Sequence, residues 1–311
     1  MDLGGRGDVP ERAARVFPTI DVELVRRLVR TQFPRWADLP VRPVEFGGWD
    51  NRTFHLGDRM TVRLPSGEGY APQVAKEHRW LPELAPYLPL PVPAPLAMGV
   101  PGEGYPLNWS VYGWIEGEQA ERHRIRDLTG FATTLAGFLS ALQRIDATDG
   151  PAAGQHSAFR GGPLETYDAE TRRAIEVLGD RIPGETALEV WETALRTGWR
   201  RTPVWFHGDV ASGNLLVRDG RLVAVIDFGC SGVGDPACDL SVAWTLLSGT
   251  SRQAFRKALD VDDETWARGR AWTLWKALIV FAGLTGAPPG RQAIEKRVLD
   301  DILAEYQRTA G

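Results

Sequence analysis

The feature that most constrains the fold is a β-hairpin signal in the last third of the chain. Two strand-like runs, Leu215–Arg218 and Arg221–Ile226, are separated only by the pair Asp219-Gly220. An Asp-Gly pair in this setting predicts a tight two-residue turn, because both turn positions need positive φ. The hairpin folds the chain back, so we expect it to bring Asn214, before its first strand, close to Asp227, after its second.

The remaining chain shows strand patterns first and helix patterns later. Short apolar or alternating runs bounded by turn residues predict strands at Val41–Phe46, Arg52–Leu56, Met60–Leu64 and Asn108–Ile115. Apolar residues at helical spacing predict helices at Ala71–Leu84, Asp127–Ile145, Thr166–Leu178, Thr186–Gly198, Asp239–Leu247, Arg252–Leu259, Asp263–Leu284 and Arg291–Thr309. Pro82 should kink or end the first of these helices. This order favours an α+β fold, with an antiparallel strand meander before the helices.

Composition excludes several classes of partner. The 311 residues suffice for two units that each bury a core, and 43% hydrophobic with 24% charged residues is typical of a soluble globular protein. A net charge of -4 provides no basic surface for nucleic acid. No run approaches the roughly 20 apolar residues that span a membrane, and no secretory signal is recognisable. Because 2 cysteines are too few for a disulfide framework or a zinc site, we expect a reduced, cytoplasmic location.

Three polar residues around the hairpin match what phosphoryl transfer requires. The reaction needs a carboxylate to orient the attacking hydroxyl, oxygen ligands for Mg²⁺, and positive charge facing the transferred group. Asp209 and Asn214 share one loop, and Asp227 arrives from the far arm of the hairpin. Magnesium prefers such hard oxygen ligands, and one or two side chains suffice because phosphates and water complete its coordination shell.

The motifs around these residues resemble a known family. His207–Asn214, which reads His-Gly-Asp-Val-Ala-Ser-Gly-Asn, is similar to the catalytic loop of the aminoglycoside phosphotransferase family, a relative of the protein kinases. Ile226–Gly229 resembles the kinase metal-binding motif, and Gly234–Leu240 resembles the segment that follows it in the family. The similarity extends over nearly the whole chain and is most specific across these motifs.

The resemblance implies both a fold and a reaction. The fold would be a two-lobed, protein-kinase-like α+β fold, with an antiparallel-sheet N-terminal lobe over residues 1–115 and a mainly helical C-terminal lobe over residues 116–311. The enzyme would be a small-molecule kinase that uses Mg²⁺ and takes a phosphoryl group from ATP or GTP. Asp209 would be the catalytic base or hydroxyl-orienting carboxylate, and Asn214 and Asp227 would be the metal ligands.

Three further polar residues of these motifs are expected to have structural roles. His207 would brace the catalytic loop rather than act as an acid. Asp239 precedes a predicted helix that begins near Leu240, so it is well placed to cap that helix. Asp235 would brace the adjoining loop.

The first third of the chain contains weaker signals for nucleotide binding. Residues 47–54 lie between two predicted strands, where kinase-like folds place a flexible loop over the phosphates, but they lack the Gly-x-Gly-x-x-Gly of protein kinases. A plain hairpin loop is the alternative. In the resembling family the connector between the lobes offers backbone groups to the purine base, and that connector corresponds here to Gly113, Trp114 and Ile115.

One position departs from the kinase pattern. Kinase-like enzymes place a lysine on the third strand to hold the nucleotide phosphates, paired with a glutamate on the next helix. Here Arg63 stands at that position, and Glu77 is its expected partner, unless Glu77 is simply a solvated carboxylate on a helix face. Arginine can still bind phosphate through two parallel hydrogen bonds. The only lysine before the connector, Lys76, lies beside Glu77.

The acceptor is expected to be a hydroxyl of a polar natural product. The resemblance to antibiotic phosphotransferases favours a cationic acceptor, whose ammonium groups carboxylates could bind. The candidate carboxylates are Asp235, Asp260, Asp262, Asp263 and Glu264. Alternatively, these carboxylates solvate and cap the start of a helix. The 12 tryptophans are also compatible with a flatter, less charged acceptor. Trp266, Trp272 and Trp275 recur at helical spacing, which is more typical of a core than of a ligand platform.

Three functions are compatible with the sequence. The first is an antibiotic kinase, and the second is a kinase of a metabolite alcohol, such as an amino alcohol or a sugar, on the same fold. The third is a nucleotide-binding regulatory protein without turnover, suggested by Arg63, although the intact catalytic and metal-binding residues argue against it. Fold alone does not decide between the first two.

Overall fold

A computed structural model describes residues 18–45, 50–287 and 289–310. The chain forms two compact units. The first contains the described residues up to Ala71 together with Ala97–Val111, and the second contains Pro72–Leu96 and the chain from Tyr112 onward. Each unit is therefore assembled from separate stretches of sequence, whereas the two expected lobes, divided at residue 115, are continuous. That lobe boundary stays a prediction.

Helices and strands largely follow the order that the sequence predicts. Among the described residues the α-helices are α1 Val22–Gln32, α2 Ala71–Leu84, α3 Leu128–Gln143, α4 Asp168–Leu178, α5 Gly184–Leu195, α6 Val242–Thr245, α7 Gly249–Leu259, α8 Asp263–Phe281 and α9 Pro289–Ala310. The strands are β1 Val41–Pro43, β2 Asn51–Leu56, β3 Met60–Pro65, β4 Pro95–Gly99, β5 Trp109–Gly113, β6 Glu118–Gln119, β7 Val204–Phe206, β8 Leu215–Arg218, β9 Arg221–Val225 and β10 Gly232–Gly234. The α+β class is confirmed, because one five-stranded sheet is complete before most of the helices begin. No described helix combines the length and the apolar character that crossing a membrane would need.

The first unit is a five-stranded sheet packed against α1. Its strand order is β1-β2-β3-β5-β4, and the β1/β2 and β2/β3 pairs are antiparallel. Asp21 caps α1 by accepting a hydrogen bond from the Leu24 N–H at 2.9 Å. The core of this unit is Leu24, Val25, Leu28, Val29, Val41, Phe54, Leu56, Val62, Leu64, Tyr105, Trp109 and Val111. Helix α1, whose buried residues recur at helical spacing, and strand β4 are not among the predicted elements.

The predicted strands of this sheet are confirmed in type but differ in length. Strands β2 and β3 form the expected hairpin around Gly57, whose φ of 62° suits a tight turn. Strand β1 ends at Pro43 rather than continuing to Phe46, which lies outside the described residues. Strand β5 ends at Gly113, before the expected end at Ile115. Strand ends are therefore less well predicted than strand positions.

The second unit is built from helices with two small sheets. Asp127 caps α3 by accepting hydrogen bonds from the N–H groups of Thr129 and Gly130, both at 3.0 Å. The buried face of α3 contains Phe131, Ala132, Leu135, Ala136, Phe138, Leu139 and Leu142. Burying a large apolar side chain stabilises a fold by roughly 1.5–3 kcal/mol. The predicted apolar face thus anchors α3 in the main helical core.

Helix α2 does not end at Pro82. It continues to Leu84, and a short 3-10 helix, Ala85–Tyr87, follows. Leu81 and Leu84 are each only 1% exposed and belong to the helical core. Because this burial stabilises the last turn, it outweighs the hydrogen bond that proline removes. The predicted range Ala71–Leu84 is therefore confirmed, and of the two effects expected of Pro82 the helix end is excluded.

The predicted hairpin of β8 and β9 is confirmed. The register pairs Arg218 with Arg221 and Leu215 with Val225. Asp219 and Gly220 have φ values of 53° and 78°, so both turn residues are left-handed, as the two-residue turn requires. A bulge between Leu216 and Val217 shifts the register within the hairpin. The residues that flank the hairpin are therefore held at the same end of it.

Candidate active site

Two short strands position the loop that contains the His-Gly-Asp motif. Strand β7 leads directly into His207 and pairs with β10 in antiparallel fashion. Gly208 follows with φ at 83°, a conformation that glycine adopts without strain. A Cβ atom here would lie 2.5 Å from the carbonyl oxygen of Cys230. The motif therefore needs glycine, and both strands are too short for a sequence pattern to reveal.

The carboxylate of Asp239 anchors this loop. Asp239 is 1% exposed and accepts hydrogen bonds from the backbone N–H groups of His207 at 2.8 Å and Gly208 at 2.7 Å. Burial raises the pKa of Asp239 above its ordinary value, while the nearby His207 ring and the two N–H groups oppose that rise. The expected cap on a helix near Leu240 is wrong, because Asp239 lies within a 3-10 helix, Pro236–Ser241, and bonds back to the loop.

We expect Asp239→Asn to lower kcat about tenfold, since an amide accepts from only one of the two N–H donors and each lost bond weakens the loop.

The effect of Asp239→Asn on stability should depend on pH. The folded-state pKa of Asp239 is raised above 3.8, so the native state binds this proton more tightly than the unfolded chain does. As pH rises from about 4 to 7, the wild type should lose unfolding free energy relative to the variant.

Urea unfolding of both proteins at pH 4.5 and 7 measures this difference. Asp219→Asn, at the exposed hairpin turn, is the matched control and should show neither effect. If the wild type and Asp239→Asn differ in unfolding free energy by the same amount at both pH values, the pKa of Asp239 is not raised in the folded state.

Both ring nitrogens of His207 are used within the loop. Nδ1 accepts from the Asp209 N–H at 3.1 Å, so the ring N–H lies on Nε2, which donates to the Ile226 carbonyl at 3.0 Å. The ring also packs edge-on against Phe228, with centroids 4.6 Å apart. A fully buried ring with both nitrogens engaged fits the expected bracing role and leaves no atom for acid catalysis.

Asn214 links the catalytic loop to the end of the hairpin. Its Nδ2 donates to the carbonyl oxygen and to Oδ2 of Asp209, both at 2.9 Å. The Ile226 N–H donates to the Asn214 carbonyl at 2.9 Å, so Asp227 follows a residue that is bonded to Asn214. Asp227 has φ 67° and ψ 70°, a left-handed conformation that is strained for a non-glycine residue. The hairpin thus brings the backbones of Asn214 and Asp227 to the same end, and Asn214 bonds to Asp209.

The oxygens around the hairpin fit a magnesium ion. The amide nitrogen of Asn214 is committed to Asp209, so its Oδ1 is left as the available ligand atom, and no hydrogen bond among the described residues engages it. The carboxylate of Asp227 supplies a second hard oxygen. Two such ligands are the number that Mg²⁺ typically takes from a protein when phosphates complete its shell. Their assignment as metal ligands stays a prediction.

Two cations flank the other oxygen of Asp209. Arg160 Nη2 and Lys276 Nζ each lie 3.6 Å from Asp209 Oδ1. Burial alone would raise the pKa of Asp209, but Lys276, Arg160, His207 and the Asn214 amide together hold it below its ordinary value. The carboxylate is therefore ionised at neutral pH. Neither cation was among the predicted site residues, because nothing in the local sequence pattern connects Arg160 or Lys276 to the distant loop.

Lys76 forms a second basic contact that the sequence did not predict. From α2, its Nζ donates to Ser231 O at 2.9 Å, to His156 O at 3.2 Å and to His156 Nδ1 at 3.0 Å. Burial lowers the pKa of Lys76 to about 8. All three donors of the ammonium group are thus used, and they tie α2 to the segment that follows Asp227.

The residues expected to bind the purine base lie at the end of β5. The Gly113 N–H already donates to Ala94 O at 2.9 Å, so Gly113 can offer only its carbonyl oxygen. The indole of Trp114 donates to Glu116 at 3.0 Å. The backbone groups of Ile115 make no hydrogen bond to the described protein and are available to a ligand. The predicted base contacts stay a prediction, with Ile115 the best placed.

The expected phosphate-binding residues fall in different compact units. Arg63 lies on β3 of the first unit, where it pairs with Thr53 across the hairpin. Glu77 lies on α2 of the second unit, is 5% exposed and accepts a hydrogen bond from the Tyr112 hydroxyl at 2.5 Å. Glu77 is therefore buried, not a solvated carboxylate on a helix face. Residues 46–49 of the expected phosphate loop lie outside the described part of the chain.

The carboxylates proposed for a cationic acceptor mostly serve the protein itself. Asp235 accepts from the Ala237 N–H at 3.0 Å and pairs with Arg268 at 2.6 Å. Asp262 caps α8 through the Thr265 N–H at 2.7 Å. Asp262 and Asp263 also pair with the arginines Arg201 and Arg256, respectively. These contacts favour the alternative in which the cluster starts a helix.

The three tryptophans of α8 differ in exposure. Trp266 and Trp272 are 5% and 4% exposed, as expected for core residues. Trp275 is half-buried, lies 4.0 Å from Tyr167 between ring centroids, and donates to Glu170 at 3.0 Å. Trp272 and Trp275 are 5.4 Å apart between centroids. The core expectation therefore holds for the two buried rings, and Trp275 lies at their edge.

The two cysteines, which the sequence analysis left unassigned, are both buried and unpaired. Burial raises the pKa of Cys230 to about 11. Burial likewise raises the pKa of Cys238 well above its ordinary value, and the neighbouring Asp239 and Asp235 act in the same direction. Both thiols are thus protonated at neutral pH and pack as small apolar groups.

Comparison with known proteins identifies the family. A sequence model of the phosphotransferase enzyme family matches residues 40–272, which is more than half of the chain. The chain belongs to the phosphotransferase enzyme family. The matched range contains the catalytic loop, the hairpin and Asp227, so the resemblance expected from those motifs is confirmed, as is the expectation of a phosphotransferase enzyme.

Individual relatives of this phosphotransferase include antibiotic-modifying proteins. An aminoglycoside 3'-phosphotransferase from Escherichia coli is 42% identical over 65 residues, which cover 21% of this chain and 24% of that protein. The chain therefore matches about a quarter of the length of this curated relative.

Solved structures of other phosphotransferases share the fold. The GDP and kanamycin complex of APH(2'')-IIIa matches with a TM-score of 0.72 at 16% identity, covering 90% of this chain and 98% of that one. A macrolide 2'-phosphotransferase from Brachybacterium faecium matches with a TM-score of 0.59 at 21% identity, covering 90% of this chain and 97% of that one. At these identities the likeness shows the fold, and it confirms the predicted kinase-like class.

Proposed function

We propose that this phosphotransferase transfers the terminal phosphoryl group of ATP or GTP to a hydroxyl of a small molecule. The observation that carries the proposal is the geometry of one carboxylate. Asp209 Oδ2 is held by the Asn214 amide at 2.9 Å, while Oδ1 points to two cations at 3.6 Å. One oxygen is thus fixed by the loop, and we assign the other, Oδ1, to the incoming hydroxyl.

The surroundings of Asp209 determine whether it deprotonates the acceptor hydroxyl early or mainly orients it. Because its pKa is held below the ordinary value, it is a weak base that accepts a hydrogen bond from the hydroxyl and orients it. In a loose phosphoryl-transfer transition state the hydroxyl proton is lost late, so orientation contributes more than basicity. Asp209 would then receive the proton once the new bond to phosphorus has formed.

The remaining residues hold the donor. Asn214 and Asp227 would bind Mg²⁺, which neutralises charge on the donor phosphates when bound. Asp239 and His207 keep the loop in place through the hydrogen bonds at Gly208 and Ile226. The free backbone groups of Ile115 suit the edge of a purine base, which offers one donor and one acceptor.

The proposed acceptor class is an antibiotic or a similar natural product with a hydroxyl group. Support comes from the relatives, whose names include aminoglycoside and macrolide phosphotransferases. The cationic acceptor that the sequence favoured has less structural support, because three of its five candidate carboxylates, Asp235, Asp262 and Asp263, pair with arginines. A kinase of a metabolite alcohol would use the same catalytic centre.

The direct test is a phosphotransfer assay on the purified protein. Nucleoside diphosphate release is followed with ATP and with GTP against aminoglycosides, macrolides, amino alcohols and sugars, and products are confirmed by a mass increase of one phosphoryl group. We expect Mg²⁺-dependent turnover of at least one acceptor and loss of turnover with a chelator. Tight nucleotide binding without turnover of any acceptor would favour the regulatory alternative instead.

We expect Arg63→Ala to weaken nucleotide affinity or turnover by about tenfold or more, because the phosphates lose a charge-assisted hydrogen bond. Arg63→Lys should recover part of the loss but not all of it, since a lysine cannot reproduce a two-pronged contact. Nucleotide affinity is measured by calorimetry and turnover by diphosphate release. Parental values in Arg63→Ala would mean that another residue, with Arg52 the nearest candidate along the sheet, holds the phosphates.

A further inference from the structure

The strongest unexplained feature of the second unit is the pair of cations beside Asp209. Arg160 comes from the segment before α4, and Lys276 comes from α8. Both approach the same atom, Asp209 Oδ1, at 3.6 Å. This distance is an ion-pair distance and too long for a hydrogen bond. Two segments far apart in sequence thus place positive charge at the oxygen that the proposed function assigns to the incoming hydroxyl.

The donors of these two cations are not satisfied by the protein. A guanidinium has five N–H donors and an ammonium has three. Among the described residues, neither the Arg160 nor the Lys276 side chain makes a hydrogen bond. Their side chains are 18% and 31% exposed, so the two cations lie partly buried and still reach solvent. Donors that the protein leaves without acceptors beside a carboxylate are suited to a ligand that is rich in acceptors.

The local charge balance has the same implication. Arg160 and Lys276 carry two positive charges around the single carboxylate of Asp209. Lys76 is close enough to Arg160 for the two charges to repel, and its own negative neighbours are Glu77 and Asp227. The ring of Trp272 lies against both cations, 5.8 Å from Arg160 and 5.7 Å from Lys276. This buried ring excludes water on one side, so the positive field is screened less than at an open surface.

We propose that Arg160 and Lys276 form an oxyanion site beside Asp209, and that the acceptor presents its reacting hydroxyl in a neutral or anionic setting, without neighbouring ammonium groups. The proposal rests on the function proposed for Asp209. The bound oxyanion is either the phosphoryl group during transfer or an acid group of the acceptor. In both cases an ammonium group next to the hydroxyl would be repelled by two fixed cations.

The first experiment measures anion binding without any turnover. Inorganic phosphate is titrated by calorimetry into the wild type, Lys276→Met, Lys276→Arg and Lys296→Met. Lys296 is an exposed lysine of α9 paired with Asp300, so its variant is the matched control for loss of one lysine. We expect Lys276→Met to weaken phosphate binding about tenfold, the loss of one charge-assisted hydrogen bond, and the other two variants to bind like the wild type. Equal affinity in Lys276→Met and Lys296→Met would overturn the site.

The second experiment tests the acceptor. Turnover of an aminoglycoside is compared with turnover of its N-acetylated form, which keeps the hydroxyls and loses the charge. We expect kcat/KM of the wild type to be about tenfold or more higher for the acetylated form, and this preference to shrink in Lys276→Met and in Arg160→Gln. A higher kcat/KM of the wild type for the fully charged aminoglycoside would contradict the proposed acceptor class.

The same variants distinguish the two sources of the oxyanion. If the transferred phosphoryl group occupies the site, Lys276→Met lowers kcat for every acceptor. If an acid group of the acceptor occupies it, Lys276→Met raises KM for anionic acceptors alone, and either pattern supports the site. An absence of turnover with every acceptor would contradict the proposed function, whereas the phosphate titration would still decide whether the oxyanion site exists.

Discussion

Replacing Asp209 by asparagine should lower kcat by about 10²–10⁴-fold, the contribution typical of a positioned catalytic group. The two side chains have the same shape, and a carbonyl oxygen at the Oδ2 position can still accept from Asn214. The amide nitrogen would then occupy the Oδ1 position. It cannot accept the hydroxyl proton, and it would face Arg160 and Lys276 donor to donor.

Nucleotide affinity should change little in this variant, because Asp209 is assigned to the acceptor side. Steady-state kinetics give kcat, and calorimetry gives nucleotide affinity. Asp219→Asn is the matched control, since it makes the same chemical change at the exposed hairpin turn, where both residues tolerate positive φ. Parental turnover in Asp209→Asn would show that the role assigned to Asp209 is wrong.

The second large effect is expected at Asp227. Asp227→Asn should reduce activity about a hundredfold or more at ordinary Mg²⁺ concentration, because metal stabilisation of transferring phosphates is worth several kcal/mol. Asparagine tolerates the left-handed conformation at φ 67°, so the backbone of the loop can be retained. The change removes one negative charge from the proposed metal site and leaves a weaker neutral ligand.

A magnesium titration distinguishes loss of metal from loss of fold. Raising Mg²⁺ should restore part of the activity of Asp227→Asn, and a thermal unfolding midpoint close to that of the wild type would show that the fold is intact. Asp227→Ala removes the oxygen altogether and should not recover at any Mg²⁺ concentration. Activity of either variant at wild-type level and ordinary Mg²⁺ would rule out Asp227 as a metal ligand.

The parts of the site that the sequence predicts are those set by local chain geometry. Asp219-Gly220 forces the turn, the turn brings Asn214 and Asp227 to one end of the hairpin, and both outcomes follow from backbone φ alone. The fold class was predictable for a related reason, since apolar periodicity determines which face of α3 is buried. These inferences need no knowledge of distant contacts.

The parts that the sequence does not predict depend on tertiary packing. Arg160 and Lys276 meet at Asp209 only because separate elements converge there, and no spacing in the chain records that meeting. Asp239 is similar, because its position before Leu240 suggests a local helix cap, whereas its buried carboxylate binds loop residues over thirty positions earlier. The Asp239 carboxylate is buried beside the loop, so it bonds to the distant His207 and Gly208 N–H groups rather than capping a local helix.

The burial of Cys230 and Cys238 has a practical consequence for experiments on this enzyme. Alkylating reagents attack thiolates, and both thiols are protonated at neutral pH and shielded from solvent. A cysteine introduced at an exposed position could therefore receive a single fluorescent dye while the native pair stays unlabelled. Conversely, the rate at which a maleimide modifies Cys238 reports how often the helical core opens. Cysteine modification therefore measures local unfolding of the wild-type protein without any introduced probe.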